Sequence, residues 1–267
     1  MLDKVKSLKG YKLHCLDGEI GKVEEFYFDD KHWTIRYLVV ETGGWMTSRE
    51  VLISPHALAE VNREEKYIAV DLTKKKIEQC PSLDRHKPVS RQYEEAYFQY
   101  YGWPPYWEGP FLWGAYPFAT RNHEKSKKTD QPKKRWDPHL RSSRDVTGHH
   151  VQAADGEVGH VADFIVDDET WTIRYLVVDT TNWGPGKQVL ISPRWITKVD
   201  WADSKVFIDL TREAIQQSPE FSELSMLTRS YEVGLHEHLK RPTYWAEELA
   251  GMDREHAVPG SKNDRFS

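Results

Sequence analysis

Between residues 20 and 72 the apolar positions fall at strand spacing. Ile20, Val23, Phe26 and Phe28 precede an acidic turn, Asp29-Asp30, and a β-branched and aromatic run from Trp33 to Val40 follows it. That order predicts a hairpin. Asp17-Gly18 supplies an earlier tight turn, because Gly tolerates positive φ and Asp bonds its own backbone. A loop over 42–50 leads into a strand at Val51–Ile53 that Pro55 stops, two more strands fall near 58–62 and 67–71, and Thr73 caps a helix. About six short strands in roughly 70 residues are too few for a large sandwich, but enough to close a small barrel without open edges.

The whole pattern then repeats. A shift of 138 residues brings about 37 identities into register over the 98 positions from Gly10 to Trp107, without a gap. The stretch Trp33-Thr34-Ile35-Arg36-Tyr37-Leu38-Val39-Val40 returns letter for letter at 171–178. Asp17-Gly18-Glu19 with Gly21 returns as Asp155-Gly156-Glu157 with Gly159, and Val51–Pro55 returns as Val189–Pro193.

These residues resemble the PRC-barrel family. The shared order is Asp-Gly-x-x-Gly-x-Val, an acidic turn, a Tyr-Leu-Val-Val strand, a Gly-containing loop and a strand ending Ser-Pro. The family is named for the cytoplasmic domain of the photosynthetic reaction centre H subunit and also occurs in the ribosome maturation factor. The resemblance covers about 10–80 and 148–218. It implies a mainly β chain of two tandem, small, six-stranded PRC-type barrels with short helical, aromatic-rich appendages, and it implies a bacterial-type adaptor that docks on another macromolecule. The motifs mark fold more than activity, and neither the H-subunit anchor nor a second, ribosome-factor-type barrel is recognisable.

The expected organisation is a first barrel over 1–85, an aromatic helical appendage over 86–118, a basic linker over 119–144, a second barrel over 145–223, a helical appendage over 224–245 and a tail over 246–267. Residues 93–118 hold 12 of the 33 aromatics, too dense for a flexible linker. Ser90 caps a helix from Arg91, and Gly102 with Pro104-Pro105 ends it. The second copy offers Arg229, Tyr231, Glu232, Tyr244 and Trp245 at the same offset. Packing over the barrel or across the seam between copies is the plain reading of these aromatics; a partner groove is the sharper one. The linker carries a balance of about +6 and reads as solvated chain, or as a weak contact for an anionic membrane.

Composition narrows the function. The 267 residues have a net charge of −5, so no general attraction for nucleic acid is expected. No apolar run spans a bilayer and no secretory segment is evident. A cytoplasmic address follows, with a peripheral position at the inner membrane as the alternative. Cys15 and Cys80 are only two and far apart, so no disulfide scaffold is expected. No phosphate loop, dinucleotide fingerprint, nucleophile elbow or zinc motif occurs. His149-His150 and His236-Glu237-His238 give too few ligands for a metal, and no histidine or cysteine falls opposite another under the shift. No catalytic residue, metal or cofactor is therefore expected.

The repeated polar residues read as structural: Gly18, Gly21, Gly156 and Gly159 at turns, Asp29, Asp30, Asp167 and Asp168 as turn formers, Arg36 and Arg174 in ion pairs, with Asp71 the expected partner of Arg36. Partner-binding candidates are Trp45 and Trp183, which share a loop position in both copies, together with Trp103, Trp107, Trp113 and Trp245. The expected function is a non-enzymatic protein-binding adaptor, monomeric or homodimeric. Its rivals are a small-molecule binder or enzyme with a pocket between the barrels, and a peripheral membrane protein associated with a photosynthetic reaction centre.

Overall fold

The computed structural model describes residues 1–43, 49–81, 89–109, 111–114, 116–119, 139–180, 186–246 and 248. The first copy contains β1 (Leu2–Lys4), α1 (Val5–Leu8), β2 (Lys12–Cys15), β3 (Gly18–Asp29), β4 (Thr34–Thr42), β5 (Arg49–Ile53), β6 (Leu58–Asn62), β7 (Tyr67–Val70), α2 (Lys74–Glu78) and α3 (Arg91–Tyr101). The second contains β8 (Leu140–Ser142), α4 (Ser143–Val146), β9 (His150–Ala153), β10 (Gly156–Asp167), β11 (Ile173–Asp179), β12 (Gln188–Ile191), β13 (Ile196–Asp200), β14 (Lys205–Ile208), α5 (Arg212–Gln217) and α6 (Arg229–His238). The chain is mainly β, and apart from β1 and β8 the strands and both helix starts fall where the pattern places them. Thr73 and Ser90 accept hydrogen bonds from Lys76 N and Tyr93 N as caps.

Six strands of each copy form one hydrogen-bonded path, β5-β4-β3-β2-β7-β6 and β12-β11-β10-β9-β14-β13. Two features bear on the expected pair of closed six-stranded barrels. No ladder joins the ends of either path among the described residues, and each sheet gains a seventh strand from the other copy. β1 pairs with β10 of the second copy, and β8 pairs with β3 of the first. The exchange has a local cause. Four-residue β2 covers β3 only from Gly18 to Lys22, leaving that edge of the twelve-residue strand open further on, and β8 covers it at Tyr27–Asp29. Backbone groups there need partners once buried. Leu140–Ser142, read from sequence as the end of a solvated linker, is thus part of the first sheet.

Side chains lock the exchange. Arg63 joins Asp3 of β1 at 2.6 Å and Asp168 at 2.5 Å, while Arg141 of β8 joins Asp30 at 2.8 Å and lies 4.1 Å from the Trp201 ring. The letter-for-letter repeat forms the seam itself. Ile35 N donates to Trp171 O and Ile173 N to Trp33 O, both at 2.7 Å, and the Phe28 and Phe164 rings meet at 5.8 Å. Trp33 and Trp171 adopt φ of 52° and 58°, a conformation costly for L-residues that the paired seam bonds hold in place. A continuous core runs through both copies. Glycine is required where β3 and β10 touch their neighbours: a Cβ on Gly21 or Gly159 would lie 2.0 Å from the Glu41 or Asp179 carbonyl oxygen. Gly18 and Gly156 turn with φ of 121° and 148°.

Candidate functional site

The site begins with a β-bulge. In the β3–β4 ladder Tyr27 pairs with Tyr37 and Phe28 with Ile35, so Arg36 is the extra residue; Arg174 is extra in the same way between Tyr175 and Ile173. A bulge re-aims its side chain, and here it turns both guanidinium groups toward the end of the sheet beside the seam. Arg36 Nε donates to Asp29 at 2.6 Å, and Arg174 Nη2 to Asp167 at 2.9 Å. Asp71, the partner expected from sequence, is exposed and not involved, because strict alternation of faces fails at a bulge. Burial pushes the Asp29 carboxyl up, but the Arg36 and His32 charges and hydrogen bonds overcome it and hold the carboxyl down at about 2. Asp167 is lowered likewise, with Arg174 outweighing burial.

Each appendage helix supplies a second buried charge. Glu94 is fully enclosed and accepts from Tyr37 Oη at 3.0 Å and Tyr106 Oη at 2.6 Å, with Arg91 at 3.1 Å. Glu232 accepts from Tyr175 Oη at 3.1 Å, with Arg229 at 3.3 Å. Burial pushes both carboxyls up. Tyr97, Phe98 and Tyr101 of α3 are buried on their own sheet, where Tyr97 Oη donates to Leu52 O and accepts from Ser54 N. These contacts fasten helix to sheet and leave the carboxylates without access to solvent.

The two copies differ at the third partner of the bulged arginine. In the first, Arg36 Nη1 donates to Leu112 O at 2.7 Å, and its guanidinium lies between the rings of Tyr106 at 4.0 Å and Trp113 at 4.6 Å. Trp113 donates its indole N–H to Thr170 O of the second copy at 3.1 Å and meets His56 edge-on. Arg36 and Trp113 are both fully buried. In the second copy Tyr244 covers one face of Arg174 at 4.2 Å, as Tyr106 does for Arg36, but position 251, at the offset of Trp113, is Gly. Arg174 Nη1 donates instead to Glu248 Oε1 at 2.5 Å, which Arg194 Nη2 also approaches at 3.4 Å.

A cavity of about 740 Å³ opens beside this second arginine. Its walls come from the first hairpin (Asp30–Trp33), the appendage (Leu112, Pro117, Phe118) and the second copy, including Thr170, Arg174, Ser192–Arg194, Ile196–Val199, Tyr244 and Glu248. The lining is mixed apolar and basic. Burial lowers Arg194, against the pull of Glu248. Phe118 is 47% exposed at the rim, with Phe111 and Tyr116 exposed nearby in sequence.

The expected partner residues are dispersed by this geometry. Trp113 is an interior residue, not a surface anchor, because it fills the space over Arg36. Trp107 and Trp245 are half-buried and stack on Arg91 and Arg229 at 4.0 and 3.9 Å; Trp103 lies flat on Tyr101 at 4.5 Å. Trp45 and Trp183 lie outside the described residues. The paired histidines are held separately, His150 by Glu157, His236 by Tyr175 and Pro242 O, and His238 by Ala214 O. Sequence reasoning missed Arg194, Glu248 and His32 as cavity residues. The signal was the broken repeat: His56 against Arg194 and Trp113 against Gly251, beside identical Arg and Tyr.

No described helix is long and apolar enough to cross a membrane, and no metal-ligating group of three gathers among the described residues. No curated protein matches the chain. The profile of the PRC-barrel domain matches residues 7–77 and 139–215, together more than half of the chain and spanning β2 to β7 and β8 to β14. With the repeated hairpin, bulge and Ser-Pro strand at those positions, the chain belongs to the PRC-barrel family, of which it carries two copies.

Proposed function

We propose that the protein is a non-enzymatic adaptor that docks a protein partner on the face beside the seam. The observation that carries this reading is the exposed aromatic group Phe111, Tyr116 and Phe118, of which Phe118 lines the cavity, each more than a third exposed in a chain whose other appendage aromatics are mostly packed. Exposed aromatics near arginine are among the residues enriched at interface centres. The exchanged strands support the same reading, since they join the two copies into one platform that does not have to be ordered on binding.

Co-purification from host extract, comparing the intact chain with a Phe111→Ser/Phe118→Ser double variant, tests it. A single protein retained by the intact chain and lost by the folded variant is the expected result; retention by both places the docking face elsewhere. A second reading, a small-ligand carrier, is favoured by the cavity volume, which falls within the range of ligand sites. Mass spectrometry of the native protein for a co-purifying small molecule distinguishes it.

A further inference from the structure

We infer that the cavity beside Arg174 is a receptor for a tryptophan-bearing segment of a partner protein, seated as Trp113 is seated on the first copy. This inference rests on the adaptor reading and names the chemistry of its contact. The first copy shows the site filled: a backbone carbonyl on the bulged arginine, an indole over the guanidinium, and the indole N–H on the carbonyl of the opposite hairpin turn.

Every receiving element has a counterpart in the second copy. Arg174 stands for Arg36 and Tyr244 for Tyr106, while His32, at the offset of Thr170, lines the cavity where its carbonyl would meet an indole N–H. Ser192 and Pro193 repeat Ser54 and Pro55. Two things differ: the occupant, and one wall residue, since His56, which meets the Trp113 ring edge-on, is Arg194 in the second copy. The tryptophan position is Gly251, and the acceptor on Arg174 is the Glu248 carboxylate. The chain's own Leu112-Trp113 is committed to the first copy, and the entering tryptophan is assigned to a partner protein. A flat aromatic ring on the face of Arg174 opposite Tyr244 gains stacking, and a peptide carbonyl replaces Glu248 as acceptor. Glu248 is thereby an internal competitor: it neutralises Arg174 and Arg194 while the cavity is empty and must yield when the segment enters.

Titration of the full chain with a capped peptide of the sequence of residues 109–116 (Gly-Pro-Phe-Leu-Trp-Gly-Ala-Tyr) tests this, with indole-3-acetate as the small-molecule arm. The expected result is saturable one-to-one binding of the peptide. It should tighten several-fold in Glu248→Ala, and be lost when the peptide tryptophan becomes alanine and in Thr197→Trp, which fills the cavity from an exposed wall position without disturbing the core. Failure of the peptide to bind both the native chain and folded Glu248→Ala overturns the inference, as does binding that Thr197→Trp leaves unchanged. Binding of indole-3-acetate without the peptide also overturns it and assigns the cavity to small aromatic acids. A partner captured by a chain that ignores the peptide leaves the adaptor standing and removes this contact; peptide binding with no captured partner does the reverse.

Discussion

The two copies share an arginine, an aspartate, a tyrosine and a buried carboxylate at equivalent places, yet one site is sealed and the other open. Around Arg36 every approach is filled by the chain: Asp29, Leu112 O, Tyr106 and Trp113 leave the guanidinium with no exposed surface. Around Arg174 the aspartate and tyrosine contacts persist as Asp167 and Tyr244, but the place of the indole is part of a cavity, and the group in place of the Leu112 carbonyl is a 39% exposed Glu248. Duplication supplied two equal frames. What separates structural from available is a single aromatic residue and the segment that carries it.

The strongest way to break the comparison is to open the first site. Trp113→Ala removes a fully buried indole and is expected to cost about 3–5 kcal/mol in urea unfolding, the range for large aromatic truncations in a core. If the second site is open by design, Thr197→Ala on its wall should change stability by less than about 0.5 kcal/mol. Equal costs at the two positions would mean that the cavity wall is as tightly packed as the seal.

Much of this frame is legible in the sequence. The hairpin around Asp29-Asp30, the strands to Val70, the caps at Thr73 and Ser90 and the duplication follow from periodicity and turn chemistry. Strand exchange is not legible, because Leu2–Lys4 and Leu140–Ser142 are three residues each and pair only because long β3 and β10 outrun their neighbours. Nor is the Arg36–Asp29 pair: a bulge shifts the face of one residue without leaving a signature such as glycine. The open site sits between these cases. Its arginine and tyrosine are visible as repeats, but its function-bearing feature is the mismatch at Trp113 and Gly251, which a search for shared chemistry passes over.

A smaller effect sharpens the contrast between the arginines. Arg36→Met leaves the buried Asp29 carboxylate without its counter-charge, a loss expected to cost roughly 3 kcal/mol. Arg174→Met should cost about half as much on the same scale, because Asp167 and Glu248 retain access to water, at 15% and 39% exposure. Chemical denaturation of the two variants side by side checks this, and a larger loss at Arg174 would reverse the assignment of sealed and open.

The pH dependence of stability carries the same asymmetry at lower amplitude. Asp29 is held at about 2 in the folded chain against an ordinary value near 3.8. Since the folded pKa is depressed, its contribution is fully present above the unfolded value and is lost as pH falls through the folded one. At about 1.4 kcal/mol per unit this amounts to about 2–3 kcal/mol, lost between roughly pH 4 and pH 2. Glu94 works against it: burial raises its pKa, so protonation on acidification relieves a buried charge and favours the fold. The net acid profile of the native protein therefore understates Asp29, and the informative measurement is a difference. Subtracting the urea stability of Asp29→Asn from that of the native chain, pH by pH, should give a curve that is flat above pH 5 and descends toward pH 2. The same subtraction for Asp167→Asn should descend less, because water reaches Asp167 and shares the screening of its charge with Arg174. Two curves of equal depth would show that the cavity leaves the second ion pair as enclosed as the first.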